Sequence, residues 1–194
     1  DAVRQAVVNT VDWIAHRRYT NVLLEIANEC DNGAYQREAI KAPRVHELIE
    51  LAQQRAADRG CPLPVSVSYN GGSIPRPNVV RVADYILLHG NGVRDPNRMA
   101  EMVRAVRAMD EYSPKPIVNN EDDRPWLDEH QGWGDEGNNF VACVENYASW
   151  GYFDFRRAGE DFDEGYQSVP VNWQISSARK RAFFDLLARI TGAR

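Results

Sequence analysis

The sequence predicts an α/β protein built around a parallel sheet, because two kinds of segment alternate along it. Segments such as 3–18 and 44–59 carry apolar residues three or four positions apart, as amphipathic helices do. Between them lie short apolar runs such as 64–69 and 84–89, which are typical of strands. Strands that alternate with helices lie parallel and are joined by right-handed crossovers. Two architectures remain: a doubly wound open sheet, or part of a (β/α)8 barrel.

The predicted elements cover most of the chain. Helices are expected at 3–18, 44–59, 95–109, 139–146 and 176–190, and strands at 21–27, 64–69, 84–89, 116–119 and 148–155. Asp95 followed by Pro96 suits a helix N-cap and first helical position. Segments 124–138 and 156–171 have no period and are expected to be loops. No GxGxxG or GxxxxGK[ST] motif opens a helix, so the nucleotide-binding form of the open sheet has no support.

The composition is that of a soluble globular protein and argues against several classes of partner. Of the 194 residues, 43% are hydrophobic and 26% are charged. The net charge of −5 argues against nucleic-acid binding. No apolar run approaches the roughly 18 residues of a membrane span. The cysteines Cys30, Cys61 and Cys143 form no CxxC pair, so neither a disulfide scaffold nor a zinc site is expected. We expect no cofactor and no metal.

Each predicted strand ends in residues suited to binding or catalysis. The endings are Asn28-Glu29, Tyr69-Asn70, His89-Gly90-Asn91, Asn120-Glu121 and Ser149-Trp150. In a parallel barrel, all carboxyl ends of the strands meet at the face that carries the active site. Two endings place a glutamate directly after an asparagine. Such a carboxyl pair suits glycosidic bond cleavage: one acts as acid and then base, while the other attacks the anomeric carbon or activates water.

Four stretches resemble one enzyme group. NVLLEIANE, a strand ending in His89, KPIVNNE and ASWGYFDF resemble the clan A (β/α)8 glycoside hydrolases, namely the cellulase-like family 5 group and its relatives. The resemblance implies that Glu29 closes strand 4 as the acid/base and that Glu121 closes strand 7 as the nucleophile. It also suggests a secreted or periplasmic protein that acts on a β-linked poly- or oligosaccharide by a retaining mechanism.

The same resemblance assigns roles in substrate binding. Asn28 would bind the sugar 2-hydroxyl, His89 would hydrogen-bond the nucleophile or the substrate, and Trp150 would form a platform under the sugar ring. Two further indoles lie in a polar loop, where an exposed ring can stack on a sugar face. The expected substrate-binding residues are Asn28, Tyr69, His89, Asn91, Asn120, Trp126, Trp133 and Trp150. The pattern departs from the family in three places: Cys30 replaces a common proline, Gly90 replaces a common tyrosine after the histidine, and the acidic residues Asp122 and Asp123 follow the nucleophile position.

Two other functions stay open. A non-catalytic carbohydrate-binding homologue of the barrel would keep the aromatic platform and lack turnover. A metal-dependent hydrolase would use the acidic cluster of Glu121, Asp122 and Asp123, whose mutual repulsion a cation could relieve. However, consecutive residues of a strand point to opposite sides, so they rarely converge on one ion. The glycan, its linkage and the choice between endo and exo action are not readable from the sequence.

The length bears on the extent of the barrel. A complete (β/α)8 barrel needs about 250 residues, and the five predicted strands match strands 4 to 8. We therefore expect residues 1–194 to form a single domain that is the C-terminal portion of a TIM barrel, with the N-terminal part of the barrel missing from this chain.

We predict that this chain alone is unstable or inactive and that an upstream segment restores both properties. An open arc of five strands leaves two unpaired edges and one exposed side of the core. Thermal unfolding and size-exclusion chromatography of the two forms test this. A monomeric, cooperative melt of the chain by itself would contradict the prediction.

Overall fold

The structure is a computed structural model that describes residues 2–122, 138–151 and 178–193. In these ranges helices and strands alternate in the predicted order. The helices are α1 (Ala2–Arg17), α2 (His46–Asp58), α3 (Pro77–Val82), α4 (Pro96–Arg107), α5 (Asn139–Glu145) and α6 (Ala178–Thr191), with a 3-10 turn at Glu38–Ile40. The strands are β1 (Leu24–Glu25), β2 (Val65–Ser66), β3 (Ile86–His89), β4 (Ile117–Glu121) and β5 (Ser149–Trp150). Most strands are shorter than predicted, and α3 and the 3-10 turn had not been assigned.

All strand pairs within the described residues are parallel, which confirms the prediction from the alternation of elements. β1 pairs with β2, and β3, β4 and β5 form a second sheet in that order. The two sheets adjoin where Ser66 Oγ donates to the carbonyl of Tyr85 (2.6 Å) and Asp84 N donates to the carbonyl of Val65 (3.0 Å). The strands therefore follow one another in chain order, as in one arc of a barrel. The five strands of the described ranges do not close into a complete barrel.

The core lies between the strands and the surrounding helices. Its largest fully buried aliphatic side chains include Leu48, Ile49, Ile86, Leu88, Met99, Met102 and Ile117. Helix α4 begins as the sequence predicts, with Pro96 in its first turn and the Asp95 carboxylate accepting from Asn97 N (2.9 Å). None of the helices within the described ranges is long and apolar enough to cross a membrane.

Helices α1 and α2 are joined by an ion pair beside their apolar contact. Both Nε and Nη2 of Arg55 donate to the carboxylate of Asp12 at 2.7 Å, and Nε of Arg59 donates to it at 2.8 Å. The hydrogen bonds from Arg55 and Arg59 hold the pKa of Asp12 well below its usual range. Because Arg55 binds Asp12 through two parallel hydrogen bonds, we expect this pair to stabilise the fold more than an ordinary surface ion pair does.

We predict that Asp12→Asn lowers the thermal stability at neutral pH and that the difference from wild type shrinks in acid. The folded chain keeps Asp12 ionised below its ordinary pKa of about 3.9, whereas the unfolded chain does not. The stabilisation is therefore complete above that value and is lost as pH falls toward the lower folded pKa. Melting curves between pH 7 and pH 2 measure it. Asp58→Asn, which removes an exposed carboxylate of the same helix pair, is the matched control; equal effects of the two variants at all pH values would contradict the prediction.

Candidate active site

Three side chains from the carboxyl ends of three strands meet in one place. His89 Nδ1 lies 3.1 Å from Glu29 Oε1 and 3.6 Å from Glu121 Oε2. One carboxylate oxygen of each glutamate and a ring nitrogen of His89 all lie within 4.8 Å of one another. The His89 side chain is fully buried, while those of Glu29 and Glu121 retain 17% and 23% exposure. The two carboxylates are thus accessible from solvent above a buried imidazole.

An irregular strand register brings His89 beside Glu121. Leu88 is opposite Asn119, but the next residue, His89, is opposite Glu121, so β4 contains one extra residue at this point. With its amide oriented to satisfy both groups, Asn119 Nδ2 donates to the carbonyls of Leu88 (2.9 Å) and Glu121 (3.0 Å). A buried amide therefore bridges the two strands across the bulge. Bulges of this kind re-aim side chains next to active sites.

Glu29 has a left-handed backbone conformation with φ of 50°. Residues other than glycine occupy this region at a cost of order 1 kcal/mol or more. Glu29 N donates to Ser68 Oγ (2.8 Å), and the carbonyl of Glu29 accepts from Asn32 N (2.8 Å). The Ser68 hydroxyl in turn donates to the carboxylate of Glu25. This network holds the turn that directs Glu29 toward His89.

Glu121 is held by a residue from the loop after β3. Asn91 Nδ2 donates to Glu121 Oε1 at 2.6 Å. Of the residues predicted to bind substrate, His89 and Asn91 therefore contact the glutamate pair directly. His89 was expected to hydrogen-bond the nucleophile or the substrate; its shorter contact is instead with Glu29, at 3.1 Å, and Glu121 lies at 3.6 Å.

The other predicted binding residues lie in varied surroundings. Asn28 and Asn120 are exposed, and the Asn28 carbonyl accepts from the Tyr35 hydroxyl (2.6 Å). Tyr69 is only 3% exposed, and burial raises the pKa of its phenol. Burial likewise raises the pKa of the neighbouring Cys30 thiol to about 12. The predicted indoles Trp126 and Trp133 lie outside the described residues.

Trp150 packs toward the helices. Its ring lies 5.5 Å from that of Phe140 in a stacked arrangement and 5.6 Å from that of Phe183, and the residue is 9% exposed. Its Nε1 donates to Asp122 Oδ2 at 2.9 Å. Trp150 is thus part of an aromatic cluster between β5, α5 and α6, and its role as a sugar platform stays a prediction.

The side chains that could together bind a metal ion are not the acidic cluster proposed from the sequence. Glu121 faces His89 and Asn91, whereas Asp122 faces Trp150 and Asn139. Adjacent side chains diverge, as expected for a strand, so Glu121 and Asp122 do not converge on one point; Asp123 lies outside the described residues. The candidate ligands are instead Glu29, His89 and Glu121, since carboxylate and imidazole groups suit Zn²⁺.

Two buried polar residues that support the glutamate pair were not predicted from the sequence. Ser68 and Asn119 are fully buried, and each satisfies backbone groups next to a glutamate. The alternation Val-Ser-Val-Ser at 65–68 carries a signal, because period two places Ser66 and Ser68 on the same face of the strand. Nothing in the sequence marks the bulge at His89.

We predict that Ser68→Ala lowers the free energy of unfolding by about 1–3 kcal/mol, because it leaves the Glu29 N–H and the Glu25 carboxylate without their partner. It should also reduce activity, because the Glu29 turn loses its support. Ser66→Ala is the matched control: it removes a buried hydroxyl of the same strand that bonds Tyr85 instead. Denaturant titration and turnover assays measure both effects. Equal losses of activity in the two variants would show that Ser68 has no special part in holding Glu29.

Comparison with known proteins links the fold to one enzyme structure. No protein-family model matches the chain, and no curated protein matches it. Among solved structures, the catalytic domain of a family 53 glycoside hydrolase (GH53) from Ignisphaera aggregans is similar, with a TM-score of 0.54 and 17% sequence identity. The match covers 84% of this chain and 57% of that one, so the chain spans little more than half the length of the similar structure. At this identity the likeness shows the fold alone, which is TIM-barrel-like over the matched part of the chain.

Proposed function

We propose that this chain carries the catalytic residues of a retaining glycoside hydrolase that cleaves a β-linked poly- or oligosaccharide. The observation that carries the proposal is the approach of the Glu29 and Glu121 carboxylates at the carboxyl ends of parallel strands, with oxygens within 4.8 Å. Retaining glycosidases hold their carboxyl pair about 5–5.5 Å apart, whereas inverting enzymes leave about 6.5–9.5 Å for a water molecule. The short separation therefore supports retention.

The reaction has two steps. The carboxylate of Glu121 attacks the anomeric carbon, and the glycosidic C–O bond breaks as Glu29 gives its proton to the leaving oxygen. A covalent glycosyl ester forms on Glu121. Glu29, now ionised, then takes a proton from water as that water attacks the anomeric carbon and releases Glu121. Two displacements at one carbon retain its configuration.

His89 and Asn91 orient the reacting carboxylates. Nδ1 of the buried imidazole lies 3.1 Å from Glu29 Oε1 and 3.6 Å from Glu121 Oε2, so one nitrogen approaches both carboxylates. Asn91 holds the other oxygen of Glu121 by donating to Oε1. Orientation of this kind matters because a nucleophile misplaced by about 1 Å loses on the order of 10²-fold in rate.

The similarity to a GH53 catalytic domain supports the reaction class. Under the proposal the five strands correspond to strands 4 to 8 of the barrel, in which Glu29 follows strand 4 and Glu121 closes strand 7. Strands 1 to 3 would then come from a preceding segment. The proposed partner is the carbohydrate substrate, and Asn28, Tyr69, Asn120 and Trp150 remain proposed contacts with it.

A second candidate function is metal-dependent hydrolysis, because Glu29, His89 and Glu121 form a possible ligand set. The two candidates differ in their response to chelation. A glycosidase of the proposed mechanism keeps its activity after dialysis against EDTA, whereas a metallohydrolase loses it and regains it with added Zn²⁺. Oligosaccharide binding without any turnover would favour the non-catalytic homologue.

We predict that Glu29→Gln and Glu121→Gln each abolish hydrolysis of natural β-linked glycosides in the full-length protein. Loss of general acid–base catalysis alone costs about 10²–10⁴-fold. The roles separate with dinitrophenyl glycosides, whose leaving group needs no proton: Glu29→Gln should still release dinitrophenol in a burst, whereas Glu121→Gln should release none.

Glu101→Gln is the control, because this exposed glutamate of α4 pairs only with nearby Arg98 among the described contacts. It should match wild type in activity and stability. Full activity of either Glu29→Gln or Glu121→Gln would overturn the assignment, provided that circular dichroism shows both variants folded.

A further inference from the structure

Asp122 directly follows the proposed nucleophile and is fully buried. Its Oδ2 accepts from Trp150 Nε1 (2.9 Å) and from Asn139 Nδ2 (2.8 Å). One carboxyl oxygen therefore ties the end of β4 to β5 and to the first residue of α5. Burying a carboxyl group costs free energy unless it is hydrogen-bonded. The bonds from Trp150 and Asn139 therefore offset the cost of burying Asp122.

The same group of residues fixes the loop after β3. Asn139 Nδ2 also donates to the carbonyl of Val93 (3.0 Å), and Gly90 N donates to the carbonyl of Glu121 (2.6 Å). A Cβ atom at Gly90 would lie only 2.7 Å from Asp122 Cγ, so the glycine backbone packs directly on the carboxyl group. Residues 90–93 are thus held at both ends against Asp122 and its partner Asn139.

Asn91 lies in the middle of this loop and donates to Glu121 Oε1 at 2.6 Å. A short amide side chain can reach that oxygen only while the loop keeps its position. We propose that Asp122 is a positioning residue, which fixes the loop at residues 90–93 so that Asn91 orients the carboxylate of Glu121. This inference rests on the proposed function and assigns to Asp122 a task separate from metal binding.

The proposal predicts which kinetic constant changes. Asp122 is buried and acts on the orientation of Glu121, so its loss affects the chemical step more than substrate binding. Asp122→Ala should lower kcat by about 10–100-fold with little change in KM. Asp122→Asn keeps an acceptor oxygen at the Oδ2 position and should recover most of that loss.

A double-mutant cycle tests whether Asp122 acts through Asn91. In the full-length protein, Asp122→Ala should reduce kcat strongly in the wild-type background and hardly at all in the Asn91→Ala background. Losses that multiply would overturn the proposal. If Asp122→Ala does not fold, Asn139→Ala, which removes the bond to Val93, takes its place in the cycle with the same expectation.

Two readouts separate this inference from a merely structural effect. Val106→Ala, a buried change near the C-terminal end of α4, should lower stability without changing kcat. The side-chain amide signals of Asn91 in a ¹⁵N–¹H spectrum, assigned by their absence in Asn91→Ala, should move toward the position of a solvated amide in Asp122→Ala. Unmoved signals would overturn the inference.

The spectrum reports on the loop whether or not the protein is a glycosidase. If Glu121→Gln were active, the proposed function would be overturned, and the Asn91 signals would still test whether Asp122 positions the loop. An inactive Glu121→Gln variant together with multiplying losses would overturn only the positioning role.

Discussion

The contact of one buried imidazole with two carboxylates is the interaction on which the rest of the site depends. Like-charged carboxylates a few ångströms apart repel each other, and a donor between them reduces that repulsion. His89 Nδ1 lies between Glu29 and Glu121 because the register of β3 and β4 shifts by one residue immediately before it. A regular ladder would place His89 opposite Asn120 instead. The bulge therefore places His89 beside Glu121, close to both carboxylates.

Three buried polar side chains support the segments that carry Glu29 and Glu121. Ser68 supports the Glu29 turn, Asn119 bridges the bulge, and Asp122 ties the strand end to its neighbours. All three are fully buried, where an unsatisfied polar group is costly. A core built for stability alone would hold apolar residues there. Their presence at the carboxyl ends of the strands indicates a fold arranged to hold a site.

Much of the fold follows from local pattern, and much of the site does not. The alternation of helical and strand patterns predicts parallel strands, as the structure confirms. The residues that follow the strands predict that Glu29 and Glu121 lie on one face, and the two carboxylates do lie close together. The bulge beside His89 and the left-handed φ of Glu29 depend on contacts between segments far apart in sequence. For the same reason the sequence does not reveal that Trp150 packs on Phe140, since an aromatic residue at a strand end suits either a ligand or a helix.

In the proposed mechanism, Glu121 attacks the sugar while Glu29 supplies and removes the proton. Trapping with an activated 2-deoxy-2-fluoro glycoside, followed by peptide mass spectrometry, tests it most directly, because the fluorine slows hydrolysis of the glycosyl ester. One added glycosyl group, carried by Glu121, is the expected result. A label on another residue, or turnover with inverted anomeric configuration and no label, would contradict it.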